Sequence, residues 1–242
     1  MSLPKLKAPV YEAKLPSTNK VIKYRPFLVK EEKILLTAME SDDEKVISNA
    51  VKQIIKNCIQ GNIKVEDLPT FDIEYLFLRL RAKSVGEKVT VGLRPYPCSE
   101  NGGDLCDHTT QVEIDLDKVK VTKNKDHSTK IMLDDDIGIV MEYPDISVLT
   151  SLTKNDNNTE TGISIIKNCI KMIFTKEETF EKDSFNDKDL DEFIDSLNSQ
   201  QFAQIQTFFE TMQKLTHTAK YKCGTCGESK ETKIEGLNSF FG

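Results

Sequence analysis

Two rhythms of apolar positions run along this chain, and the places where one gives way to the other mark out its elements. Residues 1–20 read as an extended arm or first strand, and Val21–Phe27 (VIKYRPF) as a β-rich stretch stopped by Pro26. Helical spacing then begins. Lys30–Met39 holds Ile34, Leu35, Leu36 and Met39, and Ser41-Asp42-Asp43-Glu44 has the S-x-x-E spacing of a capping box, which predicts a helix start there. From Lys45 the pairs Val46/Ile47, Ala50/Val51, Ile54/Ile55 and Cys58/Ile59 recur every four residues as one broad buried stripe. A third helix is expected after Pro69-Thr70, with Asp72 and Glu74 in its first turn and Phe71, Tyr75, Leu76 and Leu80 among its apolar positions.

The period then changes to two. Val89, Val91 and Leu93, and later Val112, Ile114 and Leu116, alternate with polar residues and predict strands. Between them PYPCSENGGDLCDH carries a turn at Gly102-Gly103. Lys130–Leu133 and Ile137–Tyr143 read as further strands around a hairpin turn at Asp134–Asp136. After the polar loop KNDNNTETG, helices are expected over Ile163–Phe174, Asp187–Leu197 and Ser199–Leu215; the last has a stripe of Phe202, Ile205, Phe208/Phe209, Met212 and Leu215.

The hexamer IIKNCI occurs twice, at Ile54–Ile59 and Ile165–Ile170. With average residue usage, chance recurrence in such a chain is expected on the order of once in several hundred sequences. Before the copies stand VIKYRPF and IVMEYPDI, each an apolar strand ending in Tyr and Pro; after each come a helix, a short strand and a cysteine pair. An internal duplication follows as the expectation.

A length of 242 residues suits one large domain or two small ones that need no covalent staples. The hydrophobic fraction of 38% against 30% charged residues describes a globular chain with no membrane span. The N-terminal segment lacks an apolar h-region, so no secretory signal is read and a reducing cytosol is expected. A net charge of -6 argues against a surface devoted to nucleic acid and favours protein partners.

The chain has six cysteines. Cys98 and Cys106 lie in one predicted turn, Cys223 and Cys226 in another, CGTCG, where glycine after each cysteine permits a tight backbone. Two such turns suit a closed tetrahedral Zn²⁺ site with sulfurs about 2.3 Å from the ion, a structural role that leaves no position for substrate. Cys98, Cys106, Cys223 and Cys226 are therefore the candidate metal ligands, with His108 as an alternative to Cys106. A redox C-x-x-C reading needs a strand-to-helix junction, which this segment lacks. Cys58 and Cys169 sit on the apolar stripes of the two hexamers and read as small core residues.

Other chemistry is weakly signalled. His127 and His217 read as ordinary surface or partly buried histidines. Asp134–Asp136 reads as a hairpin tip and Asp187–Asp191 as a helix N-terminus, lacking the Gly and distal Glu of a calcium loop. No Ser/His/Asp arrangement and no Gly-rich phosphate loop occurs in the sequence. The group Arg79, Arg81, Lys83 and Lys88 reads as a solvated helix end.

The expected fold is α+β: helical halves around a small antiparallel sheet closed by a zinc-ribbon-like four-cysteine site, with an internal duplication. Residues 1–125 would form an N-terminal repeat of arm, strand, helices and first cysteine knuckle, and residues 126–242 a C-terminal repeat of hairpin, helices and second knuckle, packed as one unit.

The stretches KYRPFLVKEEKILLTAMES and EYLFLRLRAKSVGE resemble the baseplate proteins of T-even-type contractile-tailed phages, the hub subunit or hub assembly protein family. The similarity is strongest over about Leu3–Cys98 and weaker from MEYPDI onward. The resemblance implies a non-enzymatic protein that helps form the baseplate hub, as a chaperone-like assembly factor or a minor structural component. Its partners would be other hub or tail proteins, met in the host cytoplasm during tail assembly or in the virion baseplate. It supplies no catalytic residues, no small-molecule substrate and no cofactor; the Zn²⁺ site rests on the cysteine spacing alone. A zinc-ribbon nucleic-acid regulator, using Lys220, Lys222, Lys230 and Lys233, is the alternative, and a metal-dependent hydrolase a third.

Overall fold

One helix, α3 (Thr70–Ser84), organises the molecule in the computed structural model, which describes residues 6–41, 43–93, 109–145, 148 and 158–240. Its sequence TFDIEYLFLRLRAKS is apolar around most of its circumference, the signature of a helix covered on several sides. Ile73, Leu76, Phe77 and Leu80 join a first core, while Leu78 and Ala82 face a second.

The first core lies between α2 (Glu44–Cys58), α3 and a three-stranded antiparallel sheet in the order β1 (Tyr11–Lys14), β2 (Val21–Tyr24), β3 (Ile59–Gln60). Asn19, at φ 60°, turns the chain between β1 and β2, a conformation asparagine tolerates better than most residues. Helix α1 (Val29–Glu40) packs on α2 from outside. The second core brings α3 against the hairpin β4 (Lys88–Leu93) and β5 (Thr110–Asp115), and against the sheet β12 (Ser229–Glu235), β11 (Lys214–Lys222), β6 (Lys120–Thr122). The third lies between the sheet β10 (Thr179–Glu181), β9 (Ile170–Phe174), β8 (Gly138–Met141), β7 (Lys130–Met132) and the helices α4 (Asn158–Cys169), α5 (Asp187–Asp195) and α6 (Ser199–Thr211).

The α+β class holds, but the single small antiparallel sheet and its zinc-ribbon-like closure do not. Among the described residues there are four sheets, and no group of three or more His, Cys, Asp or Glu side chains is placed to hold a metal. The physical reason is that apolar packing does the closing. Leu215, Ala219 and Ile234 of the β11–β12 hairpin are buried against Leu78, Ala82, Val91 and Ile114. Burying a leucine, isoleucine or valine side chain such as Leu215 or Ile234 stabilises by roughly 1.5–3 kcal/mol.

Several element boundaries also differ from the sequence reading. The capping box expected at Ser41–Glu44 is split: Ser41 ends α1, its hydroxyl donating to the Ala38 carbonyl, and the Asp43 side chain caps α2 by accepting from Lys45 N–H at 2.8 Å. Asp42 lies outside the described residues. The α4 helix begins inside the polar KNDNNTETG segment and stops at Cys169, so Ile170–Phe174 is strand β9 rather than helix. Short apolar runs fit both periods; here β8 offers backbone partners and the ladder wins. Likewise α6 ends at Thr211, and Lys214 already belongs to β11.

Both IIKNCI hexamers end a helix on their cysteine and begin a strand on their last isoleucine. Ile59 pairs with Tyr24 of β2, and Ile170 with Met141 of β8. The next residue in each case, Arg25 or Glu142, donates its N–H to the carbonyl of Cys58 or Cys169, at 3.0 and 2.8 Å. By this register Tyr24 corresponds to Met141, not to Tyr143.

Candidate functional site

The turn joining β11 to β12 carries Cys223 and Cys226. Cys223 N–H donates to Glu228 O at 2.8 Å, and Gly227 N–H to Cys223 O at 2.9 Å. Gly227 has φ +72°, the left-handed region that favours glycine, which accounts for one of the two glycines in CGTCG. Cys223 is buried, Cys226 half-buried, and the two pack on each other. Gly224 N–H reaches Thr110 Oγ1 at 3.4 Å, so this turn abuts the first residue of β5. The structure thus brings Cys223 and Cys226 together; Cys98, Cys106 and the alternative His108 lie outside the described residues.

Cys58 and Cys169 are core residues, each 1% exposed. Burial pushes their thiols up to about 11 and about 12, which removes them as nucleophiles or ligands at neutral pH.

The basic groups are largely neutralised. Arg79 pairs with Asp117 at 2.7 Å, Lys83 with Glu87 and Asp117, and Lys88 with Glu113 at 2.7 Å. On the hairpin, Lys220 faces Glu231, Lys230 faces Glu228 and Lys233 faces Glu235. A nucleic-acid surface requires uncompensated cations, and these lysines are compensated. Asp134 accepts from the N–H groups of Asp136 and Ile137, forming the expected hairpin tip. Asn186 caps α5 through Lys188 and Asp189 N–H, so Asp187–Asp191 is a helix start as read.

Three carboxylates do architectural work beyond what the sequence reading gave them. Glu31 is fully buried; burial pushes its carboxyl up, but hydrogen bonds from Arg25, Leu28 N–H and Lys30 outweigh this and hold it below the usual value. Asp72 is also fully buried, accepting from Ser17 N–H at 3.1 Å and from the Ser17 hydroxyl; burial raises its pKa. Glu74 accepts from Leu237 N–H at 3.1 Å and is raised by burial as well. Asp72 and Glu74 tie distant segments to α3, and Glu31 fixes the chain entering α1. The hints in the sequence are an acidic residue three positions after Leu28, and Asp72 and Glu74 near the start of α3.

The most exposed apolar helix face belongs to α1. Leu28, Val29, Leu36 and Met39 are 45–66% exposed, and Val46 of α2 is 42% exposed nearby. Between the two helices runs a cleft of about 510 Å³ lined by Ile34, Thr37, Ala38, Val46, Ala50 and Gln53. Such a surface is suited to covering by another protein. It lies within the stretch that resembles the phage proteins.

No curated protein and no solved structure matches the chain. One family does match, that described as T4 bacteriophage base plate protein, over residues 8–242. With almost the whole length matched, this chain belongs to the T4-type phage base plate protein family.

Proposed function

We propose that the chain is a non-enzymatic component of the baseplate hub, acting as an assembly factor or minor structural subunit through contacts with other tail proteins. The observation that carries this reading is the family match over residues 8–242. The exposed apolar face of α1 supports it, because an unburied row of Val29, Leu36 and Met39 costs solvation unless another subunit covers it. Its occupant in this reading is another baseplate subunit. The mode of action is area and shape, not chemistry. Residues 1–125 and 126–242 are read as an N-terminal and a C-terminal repeat; the matching Arg25–Cys58 and Glu142–Cys169 backbone bonds support that reading.

The test is a paired substitution, Leu36→Glu with Met39→Lys. Both side chains face solvent, so the monomer keeps its stability within about 0.5 kcal/mol. Co-sedimentation with baseplate precursors is lost. Retained co-sedimentation removes α1 as the contact surface, and a chain that never co-sediments even unsubstituted removes the hub assignment.

A further inference from the structure

The loop between β6 and β7 sends one histidine inward, and its ring completes an aromatic stack that joins the N-terminal part of the chain to the C-terminal core. His127 stands 5.5 Å from Tyr143 at an interplanar angle of 22°, and 5.0 Å from Phe208 of α6. Tyr143 also meets Phe71 of α3 edge-on at 5.1 Å. One residue along, Pro144 O accepts from both Thr70 N–H at 3.1 Å and Thr70 Oγ1 at 2.8 Å. His127 therefore buttresses the tyrosine through which α3 and the third core touch.

The hydrogen-bond geometry assigns where its proton sits. His127 Nδ1 lies 3.0 Å from Thr211 Oγ1. That hydroxyl has one proton, and it is donated to Thr207 O at 2.7 Å, so toward the imidazole Thr211 accepts. The neutral ring carries its hydrogen on Nδ1. Nε2 is left as a bare, buried nitrogen with no hydrogen-bond partner among the described residues. A second proton has only Nε2 to go to, where it meets aromatic carbon and no acceptor.

We propose that His127 is a pH-sensitive latch: neutral, it holds Tyr143 against Phe71 and keeps α3 docked on the C-terminal core; protonated, it leaves the stack for water and loosens that joint. The charged and titratable groups around it do not oppose this. Lys125 and Asp126 on its own loop and Glu210 on α6 are exposed. Glu142 is paired with Lys182, and Asp72 of α3 is committed to Ser17. Asp145 lies beyond Pro144, and the Tyr143 phenol belongs to the stack itself. Burial alone accounts for the lowered pKa of His127. A histidine depressed in the folded state contributes stability that is whole above its unfolded pKa, near 6.5. The contribution is lost as pH falls from there toward the folded value.

Amide hydrogen exchange of the full chain at pH 7.5 and pH 5.5, corrected for intrinsic rates, tests the latch. The reporter is Thr70 N–H, whose acceptor is Pro144 O, with Arg25 N–H in the first core as reference. Protection at Thr70 falls severalfold, up to about tenfold, on acidification while Arg25 is unchanged. H127F keeps a flat ring without a proton and abolishes the fall; H217Q leaves it intact. An unchanged Thr70 in the unsubstituted chain, or a fall that persists in H127F, overturns the proposal. Should H127F not fold, nitrogen chemical shifts of the unsubstituted chain decide: the Nδ1–H tautomer with a pKa below 6.5 supports the latch, and an Nε2–H tautomer overturns it.

Discussion

The Arg25 guanidinium reaches the fully buried Glu31 carboxylate at 3.0 Å and, with the same nitrogen, the Asn57 carbonyl at the end of α2, also at 3.0 Å. One cation thus neutralises the start of α1 and caps the last turn of α2, where carbonyls lack helical partners and positive charge is favourable. Lys182 does the same for the second hexamer, bonding Asn168 O at 2.7 Å and Glu142.

Arg25→Met strands Glu31 without its main partner in an environment water does not reach. The expected loss is about 3–5 kcal/mol, with most of it recovered in the double variant Arg25→Met, Glu31→Leu. Lys182→Met costs within about 1 kcal/mol, because that pair stands in solvent. Urea unfolding of the three variants separates the two caps; equal losses for both single variants would falsify the distinction.

Asp72 makes an opposite prediction about pH. Its folded pKa is raised, so the protonated form stabilises the fold, and that contribution is lost as pH rises from the unfolded value near 3.9 through the folded one. At neutral pH Asp72→Asn is therefore tolerated, within about 1 kcal/mol of the parent, whereas Asp72→Ala leaves Ser17 unpaired and costs about 1–3 kcal/mol. Thermal unfolding at pH 4 and pH 7 reads both; a large loss for Asp72→Asn at pH 7 contradicts the sign.

Gly138 faces Phe174 across the β8–β9 ladder, and an added Cβ would collide with the phenylalanine ring. Gly138→Ala is expected to destabilise by about 1–3 kcal/mol, and Phe174→Leu in the same chain to relieve it. Additive losses in the double variant, measured by chemical denaturation, argue that the two residues do not share this space.

The thiols give a chemical readout of the cores. With pKa values of about 11 and about 12, Cys58 and Cys169 have at most about a thousandth of their thiol ionised at pH 8. A disulfide reagent leaves both untouched in the folded chain and modifies them on unfolding. Rapid native labelling at either position, located by peptide mapping, rules out the packing described around the two hexamers.

What the sequence made legible was periodic. The stripes of α2 and α6 and the alternation of β4 and β5 are where one face is buried, so the pattern reports it. Ile170–Phe174 was not legible, since a run of five mostly apolar residues acquires strand character only from its partner β8. The cysteine spacing suggested a metal closure because local motif and long-range apolar packing can stabilise the same hairpin. In the described residues the packing of Leu215, Ala219 and Ile234 does so. The roles of Glu31, Asp72 and His127 are not legible for a related reason: each depends on a residue elsewhere in the fold, Arg25, Ser17 and Tyr143 respectively.

The central claim, that this family member serves the hub of the baseplate through protein contacts, meets its most direct test in the yield of complete baseplates from phage lacking the chain, measured by sedimentation and electron microscopy. The account predicts that assembly stops before a complete hub forms and resumes when the chain is supplied in trans, but not when Leu36→Glu with Met39→Lys is supplied. Complete baseplates at normal yield without the chain would contradict it.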